Sequence, residues 1–135
     1  MIVVDTSVAL QWLLMEPDAQ QAEALIARDD LAAPDIILLE AANVLSKKRR
    51  LNQIELSQAA EGLRFLRANV PMMVPGDELV DRAFEISLEI SHPAYDCMFL
   101  ACAERLASRL VTRDSPFAKR VTQSGYGHLL ADLAS

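Results

Sequence analysis

Four acidic side chains stand in four separate segments of the sequence, each at the edge of an apolar element. They are Asp5, Glu40, Asp96 and Asp114. Two carboxylates that converge to about 4 Å repel each other by about 4 kcal/mol at an effective dielectric of 20, so a cluster needs protons or cations to relieve the repulsion. Ligands that are all oxygen suit Mg²⁺ or Mn²⁺ better than zinc. Carboxylate-held Mg²⁺ is a usual means of hydrolysing phosphodiester bonds.

Each acid considered alone has a plainer explanation. Asp5 can cap the helix that follows it, and Asp114 can serve as a turn residue. Asp96 stands in a first helical turn, where a negative charge interacts favourably with the helix dipole. Glu40 is flanked by apolar residues in the segment 36–42, where an unpaired charge would be costly. These separate explanations do not account for four acids that each adjoin an apolar element.

The segments around the acids predict short strands that alternate with helices, which is an α/β fold with a parallel sheet covered on both faces. Strands are predicted at 1–5, at 31–33 before a stop at Pro34, at 72–74 and at 109–112. Helices are predicted at 8–14 with Thr6 and Ser7 as the N-cap, and at 17–28, 35–50, 57–69, 77–91, 94–108 and 117–121. In such folds ligands bind outside the carboxyl ends of the strands. Asp5 and Asp114 are therefore expected in one crevice.

Polar and basic residues near the acids extend the candidate site. The hydroxyls of Thr6, Ser7 and Thr112 can hold waters or phosphate oxygens, although capping and strand packing explain them nearly as well. Asn43 and Lys47 share a helix face with Glu40 and lead toward a basic patch. The bases of this patch are Lys47, Lys48, Arg49 and Arg50, with Arg113, Lys119 and Arg120 as further candidates. His92 and His128 are interpreted as structural or surface residues without a partner at metal or triad spacing.

Length and composition predict a single domain over residues 1–135 with its own core, because 52% of the residues are hydrophobic. The net charge of −6 counts against nucleic-acid binding, which Lys and Arg drive, unless the acids lie in a metal site and the bases in patches. Cys97 and Cys102 fit neither a disulfide framework nor a zinc site and are expected to be core thiols. No apolar run approaches the roughly 18 residues that a membrane span needs. A soluble cytoplasmic protein is expected.

Four ordered motifs resemble those of PIN-domain nucleases, particularly the VapC-type toxins of toxin-antitoxin pairs. The motifs are VVDTS at 3–7, PDIILLEAANVL at 34–45, YDCMFLA at 95–101 and LVTRD at 110–114. Their order and spacing and the length of the chain all match, so the resemblance covers essentially the whole sequence.

The resemblance implies a PIN-like three-layer fold and a Mg²⁺- or Mn²⁺-dependent endoribonuclease. It implies that the metal-binding acids are Asp5, Glu40 and Asp96, with Asp114 completing the site. Its supporting positions are Thr6 or Ser7, Asn43 and Thr112. It further implies a homodimer and a cognate VapB-type antitoxin that blocks the site. Whether one metal or two would bind is left open, because the last motif varies most in the family.

Two other classes fail at particular residues. A phosphatase of the haloacid dehalogenase type needs a second Asp where this sequence has Ser7, and a receiver domain needs a Lys after the strand that ends near Val111. A stronger alternative is a catalytically inactive PIN-like module that binds a partner and uses its acids only as caps and surface charge. An overlapping reading frame for a small DNA-binding antitoxin would favour the toxin.

Overall fold

The computed structural model describes residues 1–14, 24–25 and 27–132, and a four-stranded sheet lies at its centre. Its strands are β1 (Ile2–Val4), β2 (Leu31–Pro34), β3 (Met72–Val74) and β4 (Arg109–Val111). The spatial order is β3-β2-β1-β4, and every pair is parallel, with Val3 opposite Ala32 on one side and Leu110 on the other. The predicted α/β class with a short parallel sheet is confirmed.

Helices cover the sheet. They are α1 (Thr6–Leu14), α2 (Ile36–Arg50), α3 (Leu56–Asn69), α4 (Val80–Ile90), α5 (Ala94–Arg105) and α6 (Ser115–Gln123), with short 3₁₀ turns at Gly76–Glu78 and Gly127–Leu129. The helix predicted over 17–28 lies largely outside the described residues. None of the helices described is long and apolar enough to cross a bilayer.

Burial shows that both faces of the sheet are covered. Consecutive strand residues point to opposite faces, and Leu31, Ala32 and Ala33 in β2 all have 0% exposure. The helix α5 contacts β1, β2 and β4, and its residues from Cys97 to Ala103 are all buried. This burial explains why the segment is apolar on every side. Both cysteines are core thiols, as predicted.

Several predicted boundaries were wrong; the helix predicted over 94–108 ends at Arg105, for example, and two other differences have a clear structural reason. Pro34 belongs to β2, where it pairs with Val74 of β3. Proline lacks the N–H that a central strand needs, but Pro34 is the last residue of β2 and lies beyond the residues that pair with β1, so its missing N–H is tolerated. The helix predicted over 77–91 is split into the 3₁₀ turn and α4. The residue after α4, Ser91, has a φ of 53°, and this left-handed conformation ends the helix and turns the chain toward α5.

The topology determines where a ligand can bind. The chain passes from β1 to β2 to β3 in one direction, and β4 then lies on the opposite side of β1. The order of the strands therefore reverses between β1 and β4, and ligands of open α/β sheets bind at the carboxyl edge of such a switch point. Asp5 follows β1 and Thr112 follows β4 at this edge.

Candidate active site

Asp5 is a buried acid that connects the first strand to the first helix. Its Oδ1 accepts hydrogen bonds from the Ser7 hydroxyl at 2.6 Å and from the Val8 N–H at 3.2 Å, and the residue is only 7% exposed. Asp5 thus caps α1, and the prediction that Thr6 and Ser7 form the cap was wrong. Its own N–H donates to the Val111 carbonyl at 3.2 Å, which joins the site to β4.

The environment of Asp5 disfavours its negative charge. Burial raises its pKa to about 6, although hydrogen bonds from Ser7, Thr112 and the Val8 N–H lower the pKa in part. The charge of Asp96 contributes the smallest part of this rise. A buried carboxylate of this kind is stabilised by a nearby cation.

Glu40 reaches the same region from α2. The Thr6 hydroxyl donates to its Oε1 at 2.7 Å. Burial raises the pKa of Glu40, the bond from Thr6 lowers it, and the charges of Asp96 and Asp5 raise it again. Leu39 is 71% exposed while Ala41 is fully buried, so Glu40 lies at the border of the core. The free-energy cost of its charge is therefore smaller than we predicted from the apolar residues on either side of it in the sequence.

Asp96 completes a set of three acids from three elements. It lies in the first turn of α5, and its charge raises the pKa of both Asp5 and Glu40. Its Oδ2 is 2.6 Å from Nε2 of His92. His92, interpreted from the sequence as a structural or surface residue, therefore has a partner among the acids of the site. The sequence contained one indication of this contact, since His92 stands four residues before Asp96. The intervening Pro93 suggested instead that His92 belongs to a separate turn.

Asp114 lies at the same edge of the sheet but in a different arrangement. Its Oδ1 accepts from the N–H of Phe117 at 3.1 Å and caps α6. Its charge is not among the causes that raise the pKa of Asp5 or Glu40. The geometry favours a capping role, and its membership of the metal site stays a prediction.

Replacement of Asp114 separates the two roles. In the Asp114→Ser variant the hydroxyl can still cap α6, so we expect stability and metal affinity close to wild type. In Asp114→Ala we expect the free energy of unfolding to fall by about 1 kcal/mol. Urea unfolding and Mn²⁺ titration of both variants test this. Loss of Mn²⁺ binding in the serine variant would instead place Asp114 among the ligands.

Two of the three hydroxyls predicted as supporting groups donate to carboxylates of the site, and the third lies beside them. Besides the bond from Thr6 to Glu40, the Ser7 hydroxyl donates to Asp5 and accepts from the Arg113 N–H at 2.8 Å. The Thr112 hydroxyl lowers the pKa of Asp5 and accepts from the Asp114 N–H at 3.0 Å. These hydroxyls restrict the carboxylates of separate elements to defined positions.

The basic patch does not form one surface. Lys47 and Lys48 line a groove of about 540 Å³ together with Asn43, which is exposed one turn beyond Glu40. Arg49 and Arg50 line a different groove, of about 340 Å³, between α2 and α3, and Arg49 donates to the Ile54 carbonyl at 3.3 Å. The side chain of Arg113 is exposed at the edge that holds Asp5.

The donor chemistry fits a hard divalent cation. Within the described ranges, no three His, Cys, Asp or Glu side chains are already gathered as metal ligands. Oxygens of the three acids are held instead by Thr6, Ser7 and His92. The set nevertheless offers only carboxylate oxygens, whose mutual repulsion and burial a Mg²⁺ or Mn²⁺ ion would relieve.

Residues 2–121 match the family model of the PIN domain, and the chain therefore belongs to the PIN-domain family. Two mycobacterial relatives are "VapC ribonuclease Mb0985" of Mycobacterium bovis and "Ribonuclease VapC9" of Mycobacterium tuberculosis. Each is 40% identical over 117 residues, which cover 84% of this chain and 86% of the relative. The resemblance seen in the four motifs is confirmed.

Two solved structures share the fold. PAE2754 from Pyrobaculum aerophilum aligns with a TM-score of 0.70 and 22% identity over 88% of this chain and 78% of its own. VapBC2 from Rickettsia felis, bound to a DNA fragment from its promoter, aligns with a TM-score of 0.62 and 16% identity over 88% and 92% of the two chains. At these identities the likeness concerns the fold alone.

Proposed function

We propose that this chain is a Mg²⁺- or Mn²⁺-dependent endoribonuclease that acts as the toxin of a type II toxin-antitoxin pair. The observation that carries the proposal is the convergence of Asp5, Glu40 and Asp96 at one edge of the sheet. Thr6, the neighbour of Asp5, donates to Glu40 at 2.7 Å, and the charge of Asp96 raises the pKa of both other acids. The ribonuclease names of the two relatives at 40% identity support the choice of reaction.

The chain's residues would bind the cation and keep it in place for the reaction. A bound Mg²⁺ or Mn²⁺ supplies an activated water and stabilises the charge on the departing oxygen. Asp5, Glu40 and Asp96 would hold the ion, while Ser7 and Thr6 orient the first two of these carboxylates. With a pKa of about 6, Asp5 is mostly ionised at neutral pH and can serve as a ligand.

Lys47 and Lys48 are the best candidates for guiding the RNA backbone. Their groove follows α2 from Asn43, one turn beyond Glu40, toward the end of the helix, and cationic side chains along it can contact the phosphates of a bound strand. Local bases of this kind are needed because the whole chain carries a net charge of −6. Arg113, exposed beside Asp5, is proposed as a further phosphate contact.

Replacing both lysines should weaken RNA binding without changing the chemistry. For Lys47→Ala/Lys48→Ala we expect a higher KM with little change in kcat. The slope of the logarithm of the binding constant against the logarithm of the salt concentration should become less steep by about 1.4, since each phosphate contact to a single strand contributes about 0.7. The control is Arg64→Ala/Arg67→Ala, which removes two exposed charges of α3. Equal effects in both double variants would show that RNA binding depends on the total charge of the protein and not on this groove.

The proposed partners are a cognate VapB-type antitoxin and a second copy of this chain, in the cytoplasm. The VapBC2 structure from Rickettsia felis, which shares the fold, supports the first of these partners. A second candidate function is the catalytically inactive partner-binding module. It is favoured by one observation, namely that Asp5 and Asp114 both cap helices.

Cleavage assays on the purified protein, free of antitoxin, distinguish these functions. We expect cleavage of cellular RNA in Mg²⁺ or Mn²⁺, complete loss in EDTA, and restoration by excess metal. Sequencing the new RNA ends after brief induction in cells would identify the target as transfer, ribosomal or messenger RNA. Cleavage that EDTA does not affect would contradict the metal mechanism. Absence of cleavage in every RNA and metal would favour the inactive module.

A further inference from the structure

We propose that His92 is a positioning residue that holds one oxygen of Asp96 and leaves the other for the divalent cation. The inference rests on the proposed metal-dependent function. It assigns a role to a side chain that stands outside the four acids and their hydroxyl partners.

The contact between the two side chains is short and directional. Nε2 of His92 lies 2.6 Å from Oδ2 of Asp96, and a carboxylate oxygen is an acceptor, so the tautomer that suits this contact has its N–H at Nε2. Asp96 is the more exposed member of the pair, with a side chain 37% exposed against 20% for His92. Without this bond the Asp96 carboxylate would be free to rotate toward solvent.

The imidazole ring is itself fixed from a second side. It packs against the ring of Phe117, with 4.7 Å between the centroids and 32° between the planes. Phe117 is only 1% exposed, and its N–H is the group that Asp114 caps. The fourth acid thereby supports the site indirectly, because it holds the start of the helix on which His92 rests.

The backbone around His92 is fixed as well. Ser91 adopts the left-handed conformation at the end of α4, and the His92 N–H donates to the Ser87 carbonyl at 3.1 Å. Pro93 then restricts the chain, and α5 begins at the next residue. The turn between α4 and α5 therefore delivers His92 next to the first turn of α5, where Asp96 lies.

This arrangement lowers the cost of binding a cation. Asp96 is held in one orientation before the metal arrives, so less side-chain freedom is lost on binding. Hydrogen-bond partners of metal-binding carboxylates typically contribute about 10- to 100-fold to metal affinity or activity. We expect a contribution of that size from His92.

The test is the Mn²⁺ affinity of the full chain without RNA, measured from the EPR signal of free Mn²⁺. His92→Phe keeps an aromatic ring against Phe117 but has no N–H, and we expect its affinity to fall about 10- to 100-fold. His92→Gln places an amide N–H near the position of Nε2 and should retain most of the affinity. His128→Phe is the matched control and should bind as wild type does. Circular dichroism of each variant checks that it is folded.

The outcomes separate this inference from the proposed function. Wild-type affinity in folded His92→Phe would overturn the positioning role and leave the metal site intact. Equal weakening in the Gln and Phe variants would also overturn it, since the N–H would then not matter. A wild-type protein that binds no Mn²⁺ would overturn the proposed function together with this inference. Nitrogen NMR of the ring gives an independent check, because a proton on Nδ1 alone would contradict donation from Nε2.

Discussion

Asp5→Asn should produce a protein that is more stable at neutral pH and has lost its ribonuclease activity. The raised pKa of Asp5, about 6 against an ordinary value of 3.8, means that the folded protein keeps this charge at a cost. The difference of about two pKa units corresponds to about 3 kcal/mol, which is an upper limit because Asn cannot reproduce every hydrogen bond. Cleavage should fall by more than about 100-fold, since even indirect partners of a metal contribute up to that amount.

The pH dependence of stability has a defined sign. A carboxyl whose pKa is raised by folding stabilises the folded state below its unfolded pKa, and that contribution is lost as the pH rises through the folded pKa. In EDTA, the wild type should therefore lose stability between about pH 4 and pH 7 relative to Asp5→Asn. Urea unfolding at several pH values measures the difference.

The matched control for this prediction is Asp29→Asn. Asp29 is exposed and precedes β2, so it lies at the edge of the sheet opposite the site. We expect neither the pH dependence nor the cleavage rate to change. Lower stability of Asp5→Asn at neutral pH would contradict our account of Asp5 and would mean that the charged cap of α1 is stabilising on balance.

Asp96→Asn should abolish cleavage through loss of a metal ligand while the fold is kept. The amide oxygen can still accept the bond from His92, so the local structure should persist. Removal of the charge should lower the pKa of Asp5 and of Glu40, which the charge of Asp96 now raises. We expect a reduction of more than about 100-fold in cleavage and a higher melting temperature in EDTA.

Calorimetry in EDTA and a fluorescent RNA substrate measure the two effects in one preparation. Asp96 also lies in the first turn of α5, where a negative charge favours the helix. Retained cleavage with a lower melting temperature would therefore show that Asp96 serves the helix and does not bind metal. Asp29→Asn is again the control for charge.

The place of Asp5 could be predicted from a general rule of α/β folds, whereas the prediction for Asp96 rested mainly on the resemblance to the PIN-domain motifs. Asp5 ends an apolar strand, and the carboxyl ends of parallel strands share one edge. The helices that carry Glu40 and Asp96 adjoin the sheet because their apolar faces must be covered. The strand order, which places the switch point between β1 and β4, became visible only in the structure.

The remaining features depend on contacts that spacing does not specify. Lys47 to Arg50 were expected to form one patch, but successive residues of a helix are about 100° apart, so four of them cannot share a face. The structure accordingly distributes them over two grooves. The bond between His92 and Asp96 crosses a helix boundary, where neither helical nor strand periodicity predicts which side chains meet.

We propose that Asp5, Glu40 and Asp96 together bind a divalent cation. The most direct test is an EPR titration of Mn²⁺ into wild type and into Asp5→Asn, Glu40→Gln and Asp96→Asn, with Asp29→Asn as control. We predict that the wild type and the control bind Mn²⁺ and that each of the three variants binds at least about tenfold more weakly. Equal Mn²⁺ binding by the wild type and all three variants would contradict the claim.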